Sequence, residues 1–254
     1  MLCTLHSRPA PEGARAQPAT MSGPISIDLW IWPLDAGRAE RERLARLLSE
    51  DEQDRAARFH FDRDRERHIV AHGRLREILA ARTSVAPERL RFALSSHGKP
   101  TLAEPPGPPP HFNLSHAGGL AALALSDEAE LGLDVEAIVP LKEDVAGRFF
   151  SAREVAAYRA LPEPERLEGF YRCWTRKEAV LKSLGDGLSR RLDSFDVTLR
   201  PGEPPRIERI DGEPDAPRTW ALLHLEPAPG FVGAIALRSQ GRPVRLRPSS
   251  SRGS

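Results

Sequence analysis

Lysine is almost missing from this chain. Lys99, Lys142, Lys177 and Lys182 are the four among 37 basic residues, the rest being arginine. A chain so biased to arginine points to a high-GC genome, and each surviving lysine has a raised chance of a chemical reason. Cysteine is scarcer still. Cys3 and Cys173 cannot build a disulfide framework, so a reducing cytosol is the expected setting. No run of about 18 apolar residues exists, which excludes a transmembrane helix. Charge of one sign is also lacking: 37 basic against 36 acidic residues leave +1, so the whole chain is not a polycation built to hold nucleic acid. Aromatics are 6% and do not interleave with arginine as a single-strand-binding track requires. What is present is 254 residues with 40% hydrophobic content. That excludes a wholly disordered chain and suffices for one large domain or two lobes.

The ends show no period. Residues 1–24 are rich in Pro, Ala, Arg and Ser and lack the apolar stretch of a secretory signal. They are expected to be a disordered extension, with Met21 a candidate start. Residues 241–254 are expected to be a flexible tail, leaving an N-terminal lobe over 22–126 and a C-terminal lobe over 127–240. Ile25 to Trp32 alternates as a strand. Ser49-x-x-Glu52 and Ser151-x-x-Glu154 both match the capping box. Each precedes a longer helix, from about Arg65 to Arg82 and from about Pro164 to Leu184. Strands are predicted over Leu90–Leu94, Phe112–Leu114, Leu120–Leu125, Leu131–Ile138, Phe195–Leu199, Trp220–Leu225 and Phe231–Leu237. The Pro-rich stretch Glu104–Pro110 reads as a stiff loop. The repeated order suggests two similar α+β lobes, although ordinary α+β content with chance spacing explains it equally.

Three stretches carry candidate chemistry. In Gly132-Leu133-Asp134-Val135-Glu136, strand alternation sends Leu131, Leu133 and Val135 to a core and sets Asp134 and Glu136 side by side on the other face. Two such carboxylates repel unless a cation or water separates them. They are either a Mg²⁺ site or a solvated strand face. In Trp174-Thr175-Arg176-Lys177-Glu178-Ala179-Val180-Leu181-Lys182, Glu178 and Lys182 lie four apart on the flank of an apolar stripe, as site residues or as a surface ion pair. Lys177 fits the wheel poorly, and a snorkelling stem is its expected form. In Phe112-Asn113-Leu114-Ser115-His116-Ala117-Gly118-Gly119, a hydroxyl and an imidazole emerge at a strand end beside glycines, suiting phosphate oxygens or forming a plain hairpin turn. A Ser115/His116/Asp134 nucleophilic triad ranks low, because adjacent residues of one strand face apart. The first half is also basic along its helices, at Arg55, Arg67 and Arg74 among others. These form a phosphate-binding wall or a solvated face balanced by carboxylates.

Together with His97-Gly98-Lys99-Pro100, Arg148-Phe149-Phe150-Ser151, Glu154, Phe170 and Gly185-Asp186-Gly187-Leu188, these stretches resemble the 4'-phosphopantetheinyl transferases, specifically the long pseudo-dimeric Sfp type. The ordered motifs span about 90 residues, and the ordered set is specific where each piece alone is weak. The resemblance implies an α+β fold of two similar lobes in a pseudo-dimer, each a small antiparallel sheet with a long helix, with coenzyme A in the cleft between lobes. It implies transfer of the phosphopantetheine arm to a serine of an acyl or peptidyl carrier protein, with release of adenosine 3',5'-bisphosphate. By position, Asp134, Glu136 and Glu178 are implied to hold Mg²⁺. Lys182 contacts the pyrophosphate, and Lys99, Ser115 and His116 grip the nucleotide's phosphates, with the 3'-phosphate assigned to His116. Glu178 is the expected base, with Asp134 and Lys182 beside it.

The match has departures. Where relatives often carry Lys in the first capping-box helix, this chain has Glu52 and Arg55. Arg55 can replace a cation and Glu52 cannot; Arg67 and Arg74 are lower-ranked candidates. The carrier could serve fatty acid, polyketide or non-ribosomal peptide synthesis. A monomer in the cytoplasm, free of membrane and nucleic acid, is expected. Competing readings are a Mg²⁺-dependent phosphohydrolase or nuclease and a catalytically dead carrier-protein-binding module.

Overall fold

The structure is a computed structural model that describes residues 23–95, 98–103, 107–141, 145–185 and 190–249. The expectations for residues 1–22, His97, Lys142, Asp186-Gly187-Leu188 and part of the Pro-rich loop lie outside the described residues. Among the described residues no helix is long and apolar enough to cross a membrane.

The fold is α+β. The first half runs β1 (Ile25–Pro33), α1 (Arg38–Ala45), α2 (Glu50–Ala57), α3 (Asp62–Thr83), β2 (Phe92–Leu94), β3 (Pro100–Leu102), β4 (His111–Ala117) and β5 (Leu120–Ser126). The second runs β6 (Leu131–Ala137), α4 (Ala146–Phe149), α5 (Ala152–Arg159), α6 (Glu163–Leu184), β7 (Phe195–Val197), β8 (Ile207–Ile210), α7 (Ala216–Thr219), β9 (Trp220–Leu225), β10 (Phe231–Arg238) and β11 (Val244–Ser249). A four-stranded sheet has the order β11-β1-β5-β4 and a three-stranded sheet the order β6-β10-β9; β2-β3 and β7-β8 form two small ribbons.

Alternation assigns each face. Ile25, Ile27 and Leu29 of β1 and Leu120, Ala122 and Ala124 of β5 pack against Leu131, Leu133 and Val135 of β6 and Ile235 and Leu237 of β10. The opposite face, with Trp32, Ala121, Leu123 and Leu125, is covered by Val70, Ala71, Leu75 and Leu79 of α3. The far face of the second sheet, with Leu222, Val232, Ala234 and Ala236, is covered by Phe170, Cys173, Val180 and Leu181 of α6. The layers therefore run helix, sheet, sheet, helix, and β5, apolar from Leu120 to Leu125, is buried along its whole length, as a strand covered on both faces must be.

Both capping boxes form: the Ser49 and Ser151 hydroxyls accept the N–H of Glu52 and Glu154, whose carboxylates accept the serine N–H groups in return. Each glutamate then does a second job. Glu154 takes the Lys177 ammonium at 2.7 Å on both oxygens, and that ammonium also donates to the Phe195 carbonyl at 2.6 Å and lies 4.2 Å from the Phe195 ring centre. Lys177 is thus fully buried and does not snorkel as the sequence suggested; its helical position places it inside because a carboxylate waits there. In the first half Arg76 donates to Glu52 at 2.6 Å and to the Pro87 carbonyl at 2.7 Å, with its guanidinium 5.1 Å from the Phe92 ring.

The tail expectation needs correction. Val244-Arg245-Leu246-Arg247 alternates, and it pairs in parallel with β1 while Arg247 donates to Asp28 at 2.8 Å. The sequence reading also missed α1, α4, α7, β3 and β8: α1 buries one side chain, Leu44, and the other four span three or four residues, too short to show a period.

Removing Lys177 leaves the buried Glu154 carboxylate without its cation. Lys177→Met is expected to cost about 3–5 kcal/mol in urea unfolding. Adding Glu154→Gln, which keeps the cap, should restore more than about 1 kcal/mol; no recovery would mean that packing, not charge, sets the loss.

Candidate active site

Strand β6 offers Gly132, Asp134 and Glu136 to α6. A Cβ on Gly132 would stand 2.0 Å from the Ala179 carbonyl oxygen and 2.3 Å from the Ser183 nitrogen, so the helix backbone lies directly on the strand. That contact sets the height of Trp174, Glu178 and Lys182, which recur every four residues along one face of α6, above Asp134 and Glu136. Gly132→Ala must push α6 away against backbone atoms. The expected loss is on the order of 3 kcal/mol by chemical denaturation, and an unchanged midpoint would refute this account of the contact.

The other wall comes from β4. Its inner-face side chains act as backbone to β6: Asn113 Oδ1 accepts the Leu133 N–H at 2.7 Å and Ser115 Oγ accepts the Val135 N–H at 3.2 Å. The two sheets are joined by side chains where no backbone ladder runs. Ser115 Oγ also donates to Asp134 Oδ1 at 3.2 Å. Lys182 Nζ lies 2.6 Å from that same oxygen and 3.2 Å from Ser115 Oγ. Leu114, Ser115, His116, Asp134, Val135, Glu136, Trp174, Glu178 and Lys182 line an open hollow of about 350 Å³.

The electrostatics of this hollow are strained. Asp134 is buried, and its Oδ2 has no hydrogen-bond partner in the protein. Burial and then the Asp134 carboxylate push the Glu136 carboxyl up to about 7, against the pull of Lys182 and the Trp174 indole N–H. Burial and Asp134 push Glu178 up as well. An orphaned carboxylate oxygen with two half-buried carboxyls beside it is a donor set for a hard cation. Yet among the described residues no three acidic, histidine or cysteine side chains stand close enough to form a ready-made metal cage. The carboxylates fit a cation by chemistry and would have to turn inward to share one.

His116, near the end of β4, lines this hollow. Burial lowers its pKa first, followed by the charges of His72, Lys182 and Arg55. Arg55, His72, Arg76, Leu94 and Pro100 are among the residues lining a hollow of about 640 Å³ between α2, α3 and the β2-β3 ribbon.

The other sequence candidates are distributed unevenly. Lys99 is held by Glu130 and by the Leu131 carbonyl at 2.9 Å, at the start of β6 rather than over Asp134. Arg67 binds Asp35 at 3.0 Å and the Gly118 carbonyl at 2.5 Å. Arg74 binds Glu40 and Glu77, both at 2.9 Å or less. These two arginines lie off the His68, His72 and Arg76 face of α3 and serve other carboxylates. Glu52, the departure in α2, is engaged by Ser49, Arg76 and His72. Burial raises its pKa, but the nearby His72 ring and the hydrogen bonds from the Ser49 N–H and Arg76 outweigh that and bring it down to about 2. The sequence reading missed His68 and His72. Their spacing with Arg76, i, i+4, i+8 on one helix, was the available signal.

Comparison with known proteins gives a consistent result. The 4'-phosphopantetheinyl transferase superfamily matches residues 130–236, and the N-terminal region of a 4'-phosphopantetheinyl transferase matches residues 35–128. The chain is 37% identical over 218 residues to 4'-phosphopantetheinyl transferase HetI of Nostoc sp., covering 85% of this chain and 89% of that protein. It is 31% identical over 196 residues to 4'-phosphopantetheinyl transferase Sfp of Bacillus subtilis, covering 77% and 84%. To the human L-aminoadipate-semialdehyde dehydrogenase-phosphopantetheinyl transferase it is 27% identical over 232 residues, covering 84% and 73%.

Proposed function

The chain belongs to the 4'-phosphopantetheinyl transferases, and from that premise we propose that it transfers the 4'-phosphopantetheine arm of coenzyme A to a serine of an acyl or peptidyl carrier protein. In this reading the serine oxygen bonds to the phosphorus on the pantetheine side. The bridging P–O bond to the adenosine-side phosphate breaks, and adenosine 3',5'-bisphosphate leaves. The serine proton passes to a carboxylate, for which Glu178 is the candidate, because it lines the Asp134 hollow. Phosphoryl transfer asks the protein mainly for positioning and charge neutralisation.

The observation that carries the reading is Asp134, with Lys182 on one oxygen and the other oxygen orphaned beside Glu136 and Glu178. Asp134, Glu136 and Glu178 are the residues that would hold Mg²⁺, which when bound would neutralise pyrophosphate charge. Lys182 then reaches from Asp134 toward the same phosphates. Ser115 keeps Asp134 in place, and His116 with Arg55 receives the nucleotide's phosphates. Lys99 closes the nucleotide side from its Glu130 anchor. Arg67 and Arg74 drop out of the phosphate set because their own carboxylates engage them.

The two-lobe arrangement, with residues 22–126 and 127–240 as a pseudo-dimer and the cleft between them as the coenzyme A site, is part of this proposal. Its support is a repeated device. Arg76 and Lys177 each sit 14 residues into a 22-residue helix, each bonds the glutamate of the preceding capping box, and each lies over a phenylalanine that opens a two-stranded ribbon. A monomer that needs no second copy, acting in the cytoplasm, follows from the same reading.

Incubation with an apo carrier protein, coenzyme A and Mg²⁺, followed by intact-mass spectrometry, is expected to add one phosphopantetheine. Asp134→Ala and Glu178→Ala should abolish that addition while keeping the fold, as should chelation of the metal. Near-normal turnover of either variant at saturating Mg²⁺ would remove the metal assignment. His116→Ala is expected to weaken coenzyme A by about 10- to 100-fold, the scale of a charge-assisted hydrogen bond. It should leave 3'-dephospho-coenzyme A nearly unaffected in direct binding measurements; equal weakening would move His116 to the pyrophosphate.

A further inference from the structure

Strand β6 lies at the edge of its sheet, and side chains from the first half finish its free edge. Every second residue of a strand turns its N–H and C=O to the same edge. Here those residues are Leu131, Leu133 and Val135. Asn113 accepts the Leu133 N–H and Ser115 the Val135 N–H, so alternate residues of β4 meet alternate residues of β6 in step. The next residue of that row in β4 is His111, whose Nδ1 lies 3.0 Å from Glu130 Oε1. The Leu131 carbonyl is met by Lys99 instead. Its ammonium donates to that carbonyl at 2.9 Å and to Glu130 Oε2.

Lys99 has little freedom. Its side chain is 10% exposed. Its backbone N–H donates to Ser95 Oγ at 3.0 Å, and the Ser95 N–H donates to the Lys99 carbonyl at 2.9 Å. The stem passes the end of α6: a Cβ on Gly185 would stand 3.9 Å from Lys99 Cδ. Leu131 is fully buried, so turning the ammonium out to a ligand would take the donor from a buried carbonyl. The crossing from β5 to β6 is pinned beside it. Asp127 pairs with Arg82 of α3, and Glu128 pairs at 2.6 Å with Arg242 of the turn before β11. The acids of this crossing are thus held by bases from separate segments.

We infer that Lys99, Glu130 and His111 form a clasp that sets the register of β6 against β4, and that Lys99 is a positioning residue for Asp134 and Ser115 rather than a contact to the nucleotide's phosphates. The inference rests on the transferase reading, in which that register brings Asp134 and Lys182 beside Ser115 and His116. Lys99 closes the nucleotide side by holding the strand, and its charge is satisfied inside the protein. The two roles have opposite signs. In a clasp Lys99 and Glu130 are partners, so losing either loosens the same joint. In a phosphate contact they compete, so removing the Glu130 charge would free the ammonium for the ligand.

The test compares Lys99→Met, Glu130→Gln and the double variant in the full chain. It reads turnover of an apo carrier protein, calorimetric affinity for coenzyme A with Mg²⁺, and amide hydrogen exchange at Leu133 and Val135. Both single variants are expected to lower kcat at saturating coenzyme A by about 10-fold or more, the scale of a small misplacement of reacting groups. The double variant should be no worse than Lys99→Met, since one joint is lost once. Exchange at Leu133 and Val135 should quicken about 10-fold or more in each variant while amides of α3 keep their rates. Glu130 is half exposed, so Glu130→Gln decides the sign even where Lys99→Met does not fold. Tighter coenzyme A binding by Glu130→Gln, with weaker binding by Lys99→Met, would overturn the clasp and return Lys99 to the phosphates. A lowered melting temperature with kcat intact below it would overturn the positioning role as well. A wild type that modifies no apo carrier would overturn the transferase reading instead, and the exchange rates at Leu133 and Val135 would still decide the clasp.

Discussion

The architecture depends on a charge placed where charge is hardest to keep. Glu52 and Glu154 begin as capping-box residues, local features of two short helices. Each is then pulled into the interior by a base from the next helix, Arg76 or Lys177. A lone buried ion is strongly unfavourable, so neither partner can leave the other. The pair therefore locks the crossing of the short helix and the long one, α2 on α3 and α5 on α6. The cation's remaining donors reach backbone carbonyls at the start of the next segment, and a phenylalanine ring covers it. Helix, cap and ribbon are fixed relative to each other by one buried charge in each half.

With α6 anchored by Lys177, its opposite contact decides the site. Gly132 lets the helix backbone rest on β6, and nothing larger than hydrogen fits there. Trp174, Glu178 and Lys182 then stand over Asp134 and Glu136 by helical geometry alone. The strand's free edge is finished by Asn113 and Ser115, whose side chains accept the N–H groups that a neighbouring strand would have taken. Ser115 thereby belongs to both the sheet junction and the site, which ties the acidic cluster rigidly to β4 and to His116. Burial first, and the Asp134 carboxylate after it, push the Glu136 and Glu178 carboxyls up.

Much of this was legible in one dimension. The two capping boxes, the two long helices and nearly every strand beyond three or four residues announce themselves by spacing, because local hydrogen bonds and side-chain alternation are local facts. The pairing of Asp134 with Glu136 on one strand face, and of Glu178 with Lys182 on one helix face, follows from the same periods. The β11 strand was also readable in its Val-Arg-Leu-Arg alternation, though an irregular flank obscured it.

What periodicity could not decide is which faces meet. Lys177 looked misplaced on its helix until Glu154, 23 residues earlier, filled the space opposite. Glu52 looked like a lost cation until Arg76 and Ser49 claimed it. Arg55 ranked above Arg67 and Arg74 only by its place in the capping-box helix, and it is the fold that engages the latter two with carboxylates. His68 and His72 gave only a spacing, and their neighbours, Phe59 and Glu52, come from α2 and the turn after it. The long elements, their caps and the family could be read along the chain, since each is a short-range pattern. Which charges are paired and which are left over came only with folding, because the energy of a charge depends on its surroundings, and these come from distant parts of the chain.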